Sequence, residues 1–376
     1  MVSKSINSLG LMSGTSGDGV DASIINSDGK GQFKVLINKY FQYTEDISEN
    51  IYKLKKNINK VEDIKKYASE INDLERKITL FHSNVVSNCI TNNDFEIDLI
   101  GFHGQTILHS PKDKYSKQLG DGKLLSQLSK KKVIYNFRQN DLAEGGEGAP
   151  LSPIFHQLIV KEKKIDLPIG ILNIGGISNL TLIGDLKDEN LISKDIGPGN
   201  CLIDEWMRRN KKGNYDKNGE AANIGKTNKL ILNQALEDFE NIVDKNIHSF
   251  DVNDFEINFL RGLDLEDGAS TITDFTSNII ASKLLSEISK SNIKITKIIL
   301  CGGGRKNKTL IDRIKKHCGN EVKFETTDDY GVDGDFVESQ AFAFLAIRSF
   351  FKLPISFPNT TGCKSPSTGG VLVKNF

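Results

Sequence analysis

Along the first forty-odd residues, apolar and polar positions alternate as they do in half-buried strands. Leu9–Met12, Val20–Ile25 and Phe33–Tyr40 carry the pattern, and "NSDGKG" supplies the second turn. The period changes over residues 47 to 92. There Ile64, Tyr67, Ala68, Ile71, Leu74, Ile78, Phe81 and Val85 fall at three-and-four spacing, which predicts a long amphipathic helix. "IDLIGF" (97–102) and "KVIYNF" (132–137) are short apolar runs between polar turns and read as buried parallel strands. The pattern then begins again. "LPIGILNIGGISNLTLIGD" (167–185) is a strand, a glycine-and-serine turn and a second strand, with a third strand near "LISKDI". Helices follow at 201–211, 226–242 and across 270–290. After them come a strand in "ITKIILCGGG", a helix over Lys306–His317, a strand in "VKFET" and a last helix over Asp335–Phe350. Two halves, each opening strand–loop–strand–strand and closing in helix–strand alternation, predict an α/β protein of two duplicated domains. The expected domains are 1–150 and 151–376, joined at "GEGAPLSP" (146–153), where Pro150 and Pro153 oppose helix continuation. Two such domains facing each other make a ligand cleft.

The chain of 376 residues is long enough for such cores. Lys plus Arg and Asp plus Glu both number 49, so no net charge points to nucleic acid or an anionic membrane. Five cysteines (Cys89, Cys201, Cys301, Cys318, Cys363) without a CxxC pair fit reduced thiols better than a disulfide frame or a zinc site. The start "MVSKSINSLG" has no signal-like apolar run, and no later segment approaches membrane-span length. The expectation is a soluble, cytoplasmic protein.

Within this frame the first turn is chemically unusual. "LGLMSGTSGDGVDASII" (9–25) places glycines, hydroxyls and an acid between two strands. Bare backbone and hydroxyls suit an anion and an acid suits magnesium through its water shell, although a glycine-rich hairpin explains the same residues. "NIGGISN" (173–179) stands at the matching point of the second half, and "LCGGGRKNKTL" (300–310) follows a strand and opens a helix, where a flat base or ribose can lie on bare backbone. None of the three is a GxxxxGK[ST] or GxGxxG motif. Three at matching points favour phosphate binding over a plain hairpin. "KDIGPGNCLIDEW" (194–206) offers Asp195 either as a general base or as a helix-capping acid. His103, Gln105 and Thr106 suit sugar or amide hydrogen bonding, or are satisfied loop residues just past a strand. Arg138, beside Asp141 and Glu144, either forks onto a substrate carboxylate or pairs with a neighbouring acid.

"GLMSGTSGDGVDA", "HGQTILHSP", "FRQNDLAEGGEGAPLSPIFH", "LNIGGISNLT", "DIGPGNCLID", "YDKNGEAA", "LCGGGRKN", "ESQAFAFLA" and "NTTGC" occur in this order. Together they closely resemble the anhydro-N-acetylmuramic acid kinase family over essentially the whole chain. The resemblance implies the actin, sugar-kinase and heat-shock ATPase superfamily, with two duplicated ribonuclease-H-like domains around a nucleotide cleft. It implies that ATP, with Mg2+, phosphorylates the 6-oxygen of 1,6-anhydro-N-acetylmuramic acid while water opens the anhydro ring, giving N-acetylmuramic acid 6-phosphate in cell-wall recycling. By position, Gly14, Thr15, Ser16, Gly17, Asp18, Gly19, Val20 and Asp21 become the ATP phosphate loop, with Asp18 reaching magnesium through water. Gly175 and Gly176 face the phosphates from the second domain, and Gly302, Gly303 and Gly304 flank adenosine. Asp195 becomes the base that deprotonates water. His103, Gln105, Thr106, Arg138 and Asp141 hold the sugar together with Gly197, Gly199 and Asn200 of the "GPGN" turn. A homodimer is also expected from the family.

The chain departs from the family pattern in four places. Gly17 replaces a bulky apolar residue, predicting a looser first loop; Asn136 replaces an acid and Glu147 a glutamine; and "IHSFDVNDFEINFL" (247–260) lacks the usual Pro-Lys-Ser-Thr-Gly-Arg-Glu run. Two rival readings are a sugar kinase of the same superfamily acting on a free hydroxyl, and a non-catalytic sugar-binding regulator.

Overall fold

The computed structural model describes residues 5–91, 93, 95–242 and 249–376. The first stretch of chain forms β1 (Ile6–Ser13), β2 (Gly19–Ser27) and β3 (Phe33–Gln42), then α1 (Glu45–Asn57), α2 (Val61–Lys66) and α3 (Ala68–Ile90). β4 (Leu99–Ser110), β5 (Tyr115–Leu119), α4 (Gly122–Ser129), β6 (Lys132–Tyr135), α5 (Gln139–Ala143) and α6 (Pro153–Glu162) follow. Next come β7 (Ile169–Ile174), β8 (Ile177–Ile183) and β9 (Ile192–Pro198), then α7 (Cys201–Arg209), α8 (Glu220–Ile224), α9 (Lys229–Ile242) and α10 (Leu265–Ser291). The chain ends with β10 (Lys297–Cys301), α11 (Lys308–Cys318), β11 (Lys323–Thr326), α12 (Val337–Phe350), α13 (Pro358–Thr361) and β12 (Val371–Val373). Among the described residues no helix is long and apolar enough to cross a membrane.

The chain divides into two units. The first comprises residues up to Ile165 with Leu186–Leu191 and Phe336–Phe376; the second comprises Asp166–Asp185 and Ile192–Asp335. This differs from a split into 1–150 and 151–376, because α6 and Phe336–Phe376 belong to the first unit. The reason is legible in two strand glycines. Gly10 of β1 and Gly101 of β4 are paired neighbours, and α12 lies against both. A Cβ on Gly10 would overlap the Ser339 carbonyl and one on Gly101 the Phe342 carbonyl, so bare backbone is what lets α12 seat there. Pro153, read as a joint, stands in the first turn of α6, where its missing N–H leaves no donor wasted.

In the first unit the sheet runs β12-β6-β4-β1-β2-β3, with β5 added to β4. β1 pairs parallel with β4 and β4 with β6, while β1–β2 and β2–β3 are antiparallel. Leu9, Leu11, Ile24, Ile78, Phe102 and Val133 lie in its core. The second unit's sheet runs β11-β10-β7-β8-β9; β7, β10 and β11 are parallel and β7–β8–β9 antiparallel. Leu172, Ile196, Trp206, Ile280 and Ile314 lie in its core.

Two further expectations change. The long helix marked by Ile64–Val85 is broken at Tyr67, which is out of helical conformation (φ −104°, ψ 25°) between α2 and α3. β4 runs twelve residues, so His103, Gln105 and Thr106 lie within the strand, not past its end. They stay in strand because β5 pairs antiparallel with Gln105–Ser110 where the parallel partner ends.

Candidate active site

In the first unit, β1 and β2 pair up to Met12 and Asp21, leaving a short loop at their end. Gly17 donates to the Gly14 carbonyl at 3.2 Å and adopts φ +66°, a left-handed conformation that closes the turn. The loop is anchored from below. The Ser13 hydroxyl lies 2.6 Å from Gln105 Oε1 and 3.0 Å from the Gly19 carbonyl, and Gln105 Nε2 donates to the Gly14 carbonyl at 3.0 Å. α1 braces one side, where Ile51 fills the space beside Gly17 and Lys55 Nζ donates to the Thr15 carbonyl at 2.7 Å. What remains exposed is Thr15, Ser16 and Asp18, with Ser16 Oγ donating to Asp18 Oδ1 at 2.5 Å. A Cβ on Gly14 would meet only the Ser16 hydroxyl, at 4.0 Å. Burial pushes the Tyr40 hydroxyl pKa well up, with the Asp18 and Asp21 carboxylates adding to it, so both acids flank this loop. No cluster of three metal-ligating side chains occurs among the described residues. Asp18 and Asp21 are the side chains of this loop with the charge to hold a magnesium ion through its water shell. Lys55 is not recognisable from the sequence, where it reads as one more charge on a helix surface.

A second group of the same unit centres on Arg138. His103 is buried, with its ring on Phe342 of α12 at 4.4 Å. Its Nδ1 contacts the Gly104 carbonyl at 2.8 Å and its Nε2 faces Arg138 Nη2 at 2.9 Å. A carbonyl accepts and a guanidinium donates, so the proton sits on Nδ1 and Nε2 is the acceptor. Burial first, then the Arg138 charge, hold the His103 pKa well below its usual value. Arg138 Nη1 donates to the Gly148 carbonyl at 2.8 Å. Asp141 is fully buried, and its Oδ2 accepts from the Gly148 N–H at 2.7 Å. Thr106 Oγ1 accepts from Gln118 Nε2 of β5 at 3.2 Å.

In the second unit the remaining candidates converge at the ends of β7, β9 and β10. Backbone bonds lace two turns together: Gly199 N–H and Cys201 N–H donate to the Gly176 carbonyl (2.8 and 3.2 Å), and Asn200 N–H donates to Gly175 (2.8 Å). A Cβ on Gly199 would overlap the Gly175 carbonyl, and Gly197 adopts φ +138°. Gly302 and Gly304 press on Asn173 and Ile174 at the end of β7, while Gly303 faces open space. Asp195 lies in β9, opposite Asn179 of β8, and is 7% exposed. Its Oδ2 accepts from the Phe250 N–H at 2.9 Å. Phe250 belongs to the 247–260 stretch that departs from the family pattern, of which Ile247 and His248 lie outside the described residues. A buried carboxylate on a strand is chemically able to take a proton from a neighbouring group.

Comparison with known proteins gives a consistent picture. The family model described as "Anhydro-N-acetylmuramic acid kinase" matches residues 6–375. An anhydro-N-acetylmuramic acid kinase of Pelagibacter ubique (strain HTCC1062) is 53% identical over 373 residues, covering 99% of this chain and 100% of that one. One of Brucella canis (strain ATCC 23365 / NCTC 10854 / RM-666) is 36% identical over 372 residues, covering 97% and 98%. A third, of Methylobacterium nodulans (strain LMG 21967 / CNCM I-2342 / ORS 2060), is 36% identical over 386 residues, covering 98% and 100%.

Proposed function

This chain belongs to the anhydro-N-acetylmuramic acid kinase family, and from that premise we propose how its residues carry the family reaction. The protein is an ATP-dependent kinase of cell-wall recycling. It opens 1,6-anhydro-N-acetylmuramic acid with water and phosphorylates its 6-oxygen, giving N-acetylmuramic acid 6-phosphate and ADP. The observation that carries this is the family match over nearly the full chain.

The anhydro linkage leaves the 6-oxygen without a proton to remove, so a base must act on water. In our reading Asp195 takes that proton, the oxygen of water bonds to the anomeric carbon, and the bond from that carbon to the 6-oxygen breaks. The freed 6-oxygen attacks the γ-phosphorus and ADP leaves. The hydrogen bond from the Phe250 N–H, which fixes one oxygen of the carboxylate, supports this assignment. Gly14–Asp21 in the first unit and Gly175 with Gly176 in the second are the phosphate-binding turns, and Gly302–Gly304 is the adenosine-binding turn. In the first unit Arg138 is the sugar contact, with buried His103 and Asp141 holding it in place and Gln105 committed to the phosphate loop; in the second unit the turn at Gly197, Gly199 and Asn200 is the sugar contact. Magnesium, when bound, neutralises phosphate charge, and Asp18 with Asp21 would hold it through water. The matching strand orders of the two sheets support a duplicated ribonuclease-H-like architecture.

The test is a coupled ADP-release assay with the anhydro-sugar as acceptor and mass analysis of the product. Turnover with addition of both water and phosphate is expected. Turnover of reducing N-acetylmuramic acid alone would favour a kinase acting on a free hydroxyl, and sugar binding without ADP release would favour a regulator.

A further inference from the structure

The C-terminal "NTTGC" stretch has no assigned role, yet it holds the loop on which Arg138 depends. Thr361, the last residue of α13, is fully buried, and its hydroxyl donates to Asp141 Oδ1 at 2.6 Å. Its carbonyl accepts from the Glu147 N–H at 2.8 Å, and the Lys364 N–H donates to the Glu144 carbonyl at 3.3 Å. The other carboxylate oxygen of Asp141 accepts from Gly148, whose carbonyl receives Arg138 Nη1. A Cβ on Gly146 would overlap the Asp141 carboxylate, so the "EGGEG" loop packs its bare backbone directly on this acid. One continuous path therefore runs from Thr361 through Asp141 and Gly148 to Arg138 and His103.

We propose that Thr361 is a positioning residue for the sugar subsite: its hydroxyl orients Asp141, and thereby the Gly145–Gly148 loop and the Arg138 fork. This rests on the reading of Arg138 as a sugar contact. A buried carboxylate that loses one hydrogen-bond donor turns or draws in water, and the loop fixed to its other oxygen moves with it. Valine matches threonine in shape and lacks the donor; serine keeps the donor and lacks the methyl.

The test compares wild type, Thr361→Val and Thr361→Ser in the ADP-release assay, with amide hydrogen exchange over residues 144–148. For Thr361→Val the sugar KM is expected to rise about ten-fold, the size expected for one hydrogen bond to a charged group. ATP KM should be unchanged and the Gly148 amide should exchange faster. Thr361→Ser should recover both. A Thr361→Val protein that is unfolded, or folded with wild-type sugar KM and wild-type exchange, overturns the positioning role. Absence of anhydro-sugar turnover in the wild type counts against the reaction instead, and the exchange comparison still decides whether Thr361 orders the loop.

Discussion

Asp195 is where the chemistry is most sharply testable at the level of one residue. Asparagine in its place has the same shape and keeps an oxygen to accept from the Phe250 N–H. It cannot take a proton. Asp195→Asn should therefore lower ADP release by roughly 10²–10⁴-fold, the span a positioned base contributes, while calorimetric ATP affinity stays within about two-fold. Near-wild-type turnover would place the base elsewhere. Two residues that depart from the family pattern also make sense singly. Gly17 has φ +66° and a Cβ there would meet Ile51 at 2.8 Å, so the small residue shapes this turn against α1 where a looser loop was expected. Asn136 has φ +59°, a conformation asparagine tolerates better than most side chains.

Among elements, α1 and the first loop form a functional pair that periodicity alone does not reveal. Lys55 donates to the Thr15 carbonyl beside the exposed Thr15 and Ser16 hydroxyls of the loop proposed to bind phosphate. Lys55→Met removes both the tether and a positive charge there. ATP KM should rise about five-fold and sugar KM should hold, as measured by steady-state ADP release; equal ATP KM values would reduce Lys55 to a surface contact. Much at this scale was legible. The strands around "MSGTSGDG" and "NIGGISN", and the helices after "GPGN" and before the chain end, follow from period and glycine placement. The extension of β4 through His103–Ser110 was not, because polar residues inside a strand look like a turn until the β5 partner is known. Gln105 illustrates the same gap within the site. Its residue type suits a sugar, but burial and its bonds to Ser13 and Gly14 commit it to the loop. Contacts between residues ninety positions apart leave no local mark in a sequence.

The molecule as a whole carries an acid sensitivity written in its histidines. His82, His103, His109 and His156 are all buried in the first unit. Burial lowers His82 to about 4 and His109 and His156 to about 3, with the Arg138 charge adding to the shift of His109, and holds His103 well below its usual value. In the unfolded chain each titrates near 6.5. Between the folded and unfolded pKa values the unfolded state binds more protons, so stability rises with pH there. This contribution is complete above about pH 6.5 and is lost progressively as pH falls toward the folded values. The melting temperature should be flat from pH 8 to 7 and fall steadily below 6.5. Calorimetry in buffers of different ionisation enthalpy should record uptake of about three to four protons on unfolding at pH 5.5. In the second unit His317 is exposed, and its pKa is lowered too, mainly by partial desolvation of its ring. At pH 5.5, amide exchange should therefore accelerate more in β1 and β4 than in β7 and β10. A melting temperature unchanged from pH 7 to 5.5 would mean that these four rings reach water in the folded protein, and the neutral His103–Arg138 contact would have to be redrawn.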